Sequence, residues 1–117
     1  MTTGQEGTIV EEFTINEILD MQRALQARYS HKWEPIEPAT GKNKLLWLIG
    51  EVGEVADVIK QRGDEAVMDD PAVRAHFVEE MADVLMYYGD VMLCFGITSE
   101  ELAQAYRDKY HINMNRW

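Results

Sequence analysis

Two stretches of this chain, Asn43 to Arg62 and Pro71 to Phe95, are apolar around most of a helical circumference, and each is interrupted by acids three residues apart. The first holds Leu45, Leu46, Trp47, Leu48, Ile49, Val52, Val55, Val58 and Ile59. The second holds Phe77, Val78, Met81, Val84, Leu85, Met86, Tyr87, Tyr88, Val91 and Met92. Helices of this kind are usually enclosed by other elements rather than laid on a surface. No segment alternates apolar and polar residues with the period of a strand. The chain is therefore expected to be all-α.

Local chemistry sets the expected boundaries. Thr14 with Glu17 three residues on is a capping-box pattern, which satisfies the free N–H groups at a helix start. Ile15, Ile18, Leu19, Met21, Leu25 and Tyr29 carry that first helix to about Ser30. Pro35, Pro38 and Gly41 make His31 to Lys42 a loop. A second helix runs from near Asn43 to Arg62 and stops at Gly63, a residue that tolerates left-handed backbone. Gly63 to Asp70 is a polar connector. Asp70 followed by Pro71 supplies the cap and first turn of a third helix, which extends to Phe95 with Gly96 as its stop. Thr98 and Glu101 repeat the capping box and open a fourth helix to about Tyr110. The expected organisation is a flexible N-terminal arm over residues 1–13 and a single helical domain over 14–117, folded as an antiparallel four-helix bundle.

Composition excludes several classes. With 46% apolar and 27% charged residues the balance is that of an ordinary globular domain. The lone Cys94 and the scattered His31, His76 and His111 allow neither a disulfide framework nor a zinc-ligand spacing. Eleven basic against 21 acidic residues leave a net charge of -10, which repels a nucleic-acid backbone. The chain has no run of about 18 apolar residues, and its first dozen residues lack the basic start and apolar run of a signal peptide. A cytoplasmic location is expected, without direct nucleic-acid or membrane partners.

The acids are the informative residues. Glu51 and Glu54 share one face of the second helix, and Glu80 and Asp83 share one face of the third. At about 100° per residue, both pairs fall on matching flanks of their helices. No lysine or arginine sits three or four residues from Glu80 or Asp83, so intrahelical ion pairs do not account for them. Two such charges about 5 Å apart repel by roughly 3 kcal/mol at an effective dielectric near 20. Four converging carboxylates would take up protons or capture a cation. Oxygen-only ligands favour hard ions, Mg2+ or Mn2+ in its place. A competing register comes from an internal echo, Glu54 to Ile59 against Glu80 to Leu85, which pairs Glu54 and Asp57 with the third-helix acids. It turns the two sets to opposite flanks, so Glu51 and Glu54 are preferred and Asp57 is expected to be exposed. A di-iron bundle is disfavoured because no histidine has a glutamate three residues before it.

This arrangement resembles the MazG-type all-α nucleoside triphosphate pyrophosphohydrolases, whose signature is Glu-Glu-x-x-Glu, a spacer, then Glu-x-x-Asp. The matching residues are Gly50-Glu51-Val52-Gly53-Glu54 and, after 25 intervening residues, Glu80-Met81-Ala82-Asp83. Gly50 stands where the family has its first glutamate. The resemblance implies Mg2+-dependent cleavage between the α and β phosphates, giving a monophosphate and pyrophosphate, in a homodimer or homotetramer. It implies Glu51, Glu54, Glu80 and Asp83 as metal ligands, with Glu51 or Glu54 also orienting or deprotonating the attacking water. It further implies that Lys109, Asn113 and Arg116 contact phosphate or sugar. Trp33, Trp47 and Tyr87 are candidates for contact with the base or phosphates, Trp33 and Trp47 by stacking. The alternatives are a dUTPase-like or phosphoribosyl-ATP pyrophosphohydrolase relative, and a noncatalytic metal-stabilised helical oligomer, which Gly50 keeps open.

Overall fold

Caps, prolines and glycines mark the boundaries of five helices in the computed structural model, which describes residues 11–117. Most of the arm expected over residues 1–13 lies outside that range. Helix α1 spans Ile15–Arg28, and its start has the expected reciprocal bonds: Glu17 N–H donates to Thr14 Oγ1 at 3.1 Å and Thr14 N–H to Glu17 Oε1 at 3.3 Å. Helix α2 spans Pro38–Arg62 and so begins five residues before the expected Asn43. Proline at the first helical position loses nothing by lacking an N–H, and the Thr40 hydroxyl donates to Pro35 O at 2.6 Å, tying the turn down. The loop reading therefore holds only as far as Glu37.

The connector is not irregular either. It contains a short helix, α3, at Asp64–Asp69, entered through Gly63 at φ +88°. Val67 of α3 is buried with Val58 and Val73, and Ala66 and Phe77 pack against them. Helix α4 spans Pro71–Cys94, and Asp70 caps it by accepting from Ala72 N–H at 3.0 Å. Helix α5 spans Ser99–Met114 and outruns the expected end at Tyr110.

Helices α2 and α4 form the principal pair. They run antiparallel: Thr40 near the start of α2 meets Cys94 at the end of α4, and Val58 near the end of α2 meets Val73 near the start of α4. Helix α1 crosses α4 at the buried Gly89, where an added Cβ would come within 3.2 Å of Gln22 and 3.3 Å of Ile18. A residue with a Cβ there would need Gln22 and Ile18 to give by a few tenths of an ångström.

Helix α5 departs from the expected bundle. A Schellman turn closes α4, with Ile97 N–H donating to Met92 O at 2.9 Å and Gly96 N–H to Leu93 O at 3.2 Å. The chain leaves it at 111° to α4, and α5 buries none of its residues. The fold is all-α, but within one chain α5 does not return alongside the others. Apolar stripes on the principal pair are also left uncovered: Leu45, Ile49, Val52 and Ile59 on α2, and Val78, Met81, Leu85 and Tyr88 on α4. The enclosure expected for these helices is thus incomplete in a single chain. Among the described residues no single helix is long and apolar enough to cross a membrane.

Candidate functional site

The antiparallel pairing of α2 and α4 sets Glu51 across from Glu80 and Asp83. One carboxylate oxygen from each lies within 4.8 Å of the other two, and all three side chains are partly buried. Glu54 is not in this trio. It is exposed and lies one turn further along α2, about 5 Å, where it borders a groove shared with Asp57, Arg62 and His76. By the pairing of Trp47 with Tyr87 and of Thr40 with Cys94, Glu54 stands level with Glu80, and its charge acts on Glu51, so it flanks the trio from the exposed side. Asp57 is exposed, as expected.

The trio carries uncompensated charge. Among the described residues, the ion pairs are Arg23 with Asp20 and His76 with Glu79, both elsewhere. The Glu51 carboxyl is held above the ordinary glutamate range by desolvation first, then by the charges of Asp83, Glu80 and Glu54. Three converging oxygens short of positive charge have the donor set of a hard divalent cation site.

A cleft of about 590 Å3 opens from Asp83 toward Asp90. Trp33, Trp47, Tyr87, Leu25 and Met86 are among its walls. Trp47 is stacked on Tyr87 with ring centroids 6.4 Å apart and planes inclined by 8°, and Trp33 on Tyr29 at 4.8 Å. At 59% exposure Trp47 is a wall of the cleft and not a core residue. Burial, with the nearby charges of Glu51, Asp90 and Asp83, pushes the Tyr87 hydroxyl up, so it stays protonated at neutral pH. The three aromatic residues singled out in the sequence thus share one cavity beside the acids.

The C-terminal candidates do not join them. Lys109 and Asn113 line a shallow recess on α5 with Tyr106 and Tyr110, and Arg116 lies over the Trp117 ring at 5.0 Å. The Schellman turn that sends α5 away from α4 separates these residues from the cleft of their own chain.

Sequence reasoning missed the inner end of the cleft. Asp90 and Lys44 are 4% and 7% exposed. The Gln22 amide donates to Asp90 Oδ1 at 2.9 Å. Burial raises the Asp90 carboxyl above its ordinary range, against the pull of the Gln22 hydrogen bond, the Lys44 charge and the Gln26 amide. Gln26 Nε2 is buried and, although near Asp90, completes no hydrogen bond. The available signal was an aspartate and a lysine within otherwise apolar helical stretches. The partner that explains them, α1, is distant in sequence.

Comparison with known proteins gives a consistent answer. No curated protein matches the chain significantly. Residues 39–114 match the MazG nucleotide pyrophosphohydrolase domain, and the matched segment holds α2 to α5 and all four signature acids. With nearly two-thirds of its length inside that match, the chain belongs to the MazG family of nucleotide pyrophosphohydrolases.

Proposed function

We propose that this protein is a Mg2+-dependent nucleoside triphosphate pyrophosphohydrolase, with Mn2+ able to substitute. In this reading it cleaves a ribo- or deoxyribonucleotide between the α and β phosphates and removes noncanonical or surplus nucleotides from the pool. The observation that carries it is the uncompensated trio Glu51, Glu80 and Asp83, of which Asp83 lines an aromatic-walled cleft. Oxygen-only donors within 4.8 Å of one another fit the ion, and Glu54 stands one turn away to complete the set from the rim.

When bound, the ion supplies charge neutralisation for the phosphates and acidifies water. The protein's own groups do the rest. Glu51, whose proton affinity is raised by desolvation and then by its neighbours, is suited to orient water or accept its proton, and Glu54 is the alternative. Trp47 and Trp33 present ring faces to a base, and Tyr87 keeps a neutral donor beside Asp83. Lys109, Asn113 and Arg116 reach a substrate phosphate only if α5 of another copy is laid against the cleft. A homodimer or homotetramer would also cover the exposed stripes on α2, α4 and α5, which exceed what an isolated domain normally leaves bare. Cytoplasmic residence without nucleic-acid or membrane partners belongs to the same reading, on the strength of the -10 net charge.

Gly50 favours a second reading, a noncatalytic metal-stabilised oligomer, because the family's first acid is missing. Pyrophosphate release from a nucleotide panel, with and without Mg2+, separates the two. Turnover lost in Asp83→Ala and Glu54→Ala, with helical content intact, is the expected result. Metal-dependent thermal stabilisation with no turnover of any nucleotide would leave the noncatalytic reading. A dUTPase-like or phosphoribosyl-ATP-directed relative would be recognised by which member of the panel is consumed.

A further inference from the structure

We infer that the hydrogen bond from Gln22 to Asp90 sets the axial register of α1 and, through it, places Trp33 as a wall of the cleft. Gln22 and Asp90 are then positioning residues for nucleotide binding. This role rests on the nucleotide reading of the cleft and adds to it how one wall is held.

Helix α1 is attached by one directional contact. Its buried residues are Ile18, Leu19 and Gln22, and it packs chiefly on α4. Apolar contact decides which face of a helix is buried but has no direction along the axis. The Gln22 amide does have one: it donates to Asp90 Oδ1 at 2.9 Å, the one completed side-chain hydrogen bond from α1 to another helix among the described residues. Its stem lies over Gly89, where an added Cβ would come within 3.2 Å. Gln26, one turn further along α1, acts on the same carboxylate, yet its Nε2 completes no bond. The register observed is the one in which Gln22, and not Gln26, holds Asp90. A single buried polar contact that fixes the register of otherwise apolar helices is a well-attested use of such groups.

Trp33 follows α1. Tyr29 caps the helix two turns beyond Gln22, its carbonyl accepts from Trp33 N–H at 2.9 Å, and the two rings stack at 4.8 Å. Beyond Trp33 the chain is fastened to α2, by Asn43 to Glu34 at 3.2 Å and by Thr40 to Pro35 O at 2.6 Å. Movement of α1 is therefore taken up between Tyr29 and Glu34, where Trp33 lines the cleft. An apolar pair in place of Gln22 and Asp90 would be close to neutral for stability or better, whereas burial makes the Asp90 carboxyl harder to ionise. The polar pair serves placement before stability.

The test joins a structural readout to a kinetic one, on wild type, Gln22→Leu/Asp90→Leu and Asp90→Asn, which keeps an oxygen for Gln22. Without nucleotide or metal, the Trp33 indole N–H should give one sharp NMR signal in wild type and Asp90→Asn and a broadened or split one in the double variant, with the exposed Trp117 as internal control. For each of dCTP, dUTP, dTTP, dATP and dGTP that wild type turns over with Mg2+, the double variant should raise KM about fivefold or more, with kcat changed by less than about twofold. Its Tm should stand above that of Gln22→Leu alone, which leaves the carboxylate stripped. Asp90→Asn should recover most of the KM. If the double variant does not fold by circular dichroism, Gln22→Leu is read on the same two measures. An unmoved Trp33 signal, an unmoved KM, or a KM that rises as far in Asp90→Asn overturns the inference and leaves the enzyme reading intact. Turnover of no nucleotide by wild type overturns the enzyme reading, and the NMR signal with the Kd of the five corresponding monophosphates then decides this one.

Discussion

Asp90 and the trio Glu51, Glu80 and Asp83 pose the same physical problem, negative charge withdrawn from water, at two ends of one cleft. At the inner end the chain supplies the answer itself: a hydrogen bond from Gln22 and the charge of Lys44, both from neighbouring helices. At the outer end it supplies none, and desolvation together with the charges of Asp83, Glu80 and Glu54 makes Glu51 harder to ionise. The contrast separates an acid that belongs to the protein's internal organisation from acids that wait for something from outside. A buried carboxylate with partners inside the fold needs nothing further to explain it, whereas convergent carboxylates without partners mark a candidate functional site.

The largest expected effect comes from breaking the outer end. Asp83→Ala should reduce pyrophosphate release about a thousandfold or more, since loss of an ion-holding acid removes several kcal/mol of transition-state stabilisation. The same variant, assayed without metal, should melt no lower than wild type, because it relieves repulsion. Next in size is the response to Mg2+. At a hundred times its Kd it should stabilise the fold by about 2.7 kcal/mol, read as a rise in Tm that Asp83→Ala abolishes. This rise should shrink as pH falls through the raised range of Glu51, where protons compete for the same oxygens.

At the inner end, Gln22→Leu strips a buried carboxylate of its hydrogen bond and should cost roughly 1–3 kcal/mol in urea unfolding at neutral pH. Asp90→Asn should have the opposite sign. The Asp90 carboxyl holds its proton more tightly folded than unfolded, so its contribution to stability is full below the ordinary aspartate pKa and falls as pH rises through the raised value. Removing the charge should flatten that slope and raise Tm at pH 7. The smallest effect belongs to Gly50→Glu. Nothing lies within 4 Å of a Cβ added there, and replacing a mid-helix glycine should gain about 0.5–1 kcal/mol, less a few tenths for repulsion with Glu54. Its turnover should stay within a few-fold of wild type, because the trio is untouched.

What could be read from the sequence was local or periodic. Thr14 with Glu17, Asp70 with Pro71, and Thr98 each mark a helix start where side chains meet free N–H groups. The acids on matching flanks of two apolar helices brought Glu51, Glu80 and Asp83 together, with Glu54 exposed beside them. Helix periodicity gives the rotation of each acid but not how far its side chain leans toward the others. Helix α3 escaped because six residues are too few for a period and its stability comes from Val67 docking between Val58 and Val73. The early start of α2 escaped because Pro38 and Gly41 look like loop residues until Thr40 is seen to lace the turn. The direction of α5 rests on a Schellman turn, and the inner polar cluster on α1 crossing at Gly89. The stop at Gly96 and the odd aspartate and lysine were visible locally, but the direction taken by α5 and the helix that covers Asp90 are tertiary facts.

The ring pair Trp47 and Tyr87 sits one turn from Glu51 on its own helix and one turn from Asp83 on the other, bridging the two. Near-parallel rings reaching across from α2 and α4 brace the distance between the two backbones there. The spacing of Glu51 from Asp83 is thus governed by side chains that carry no charge, and a change of ring size at either position would be felt one turn away.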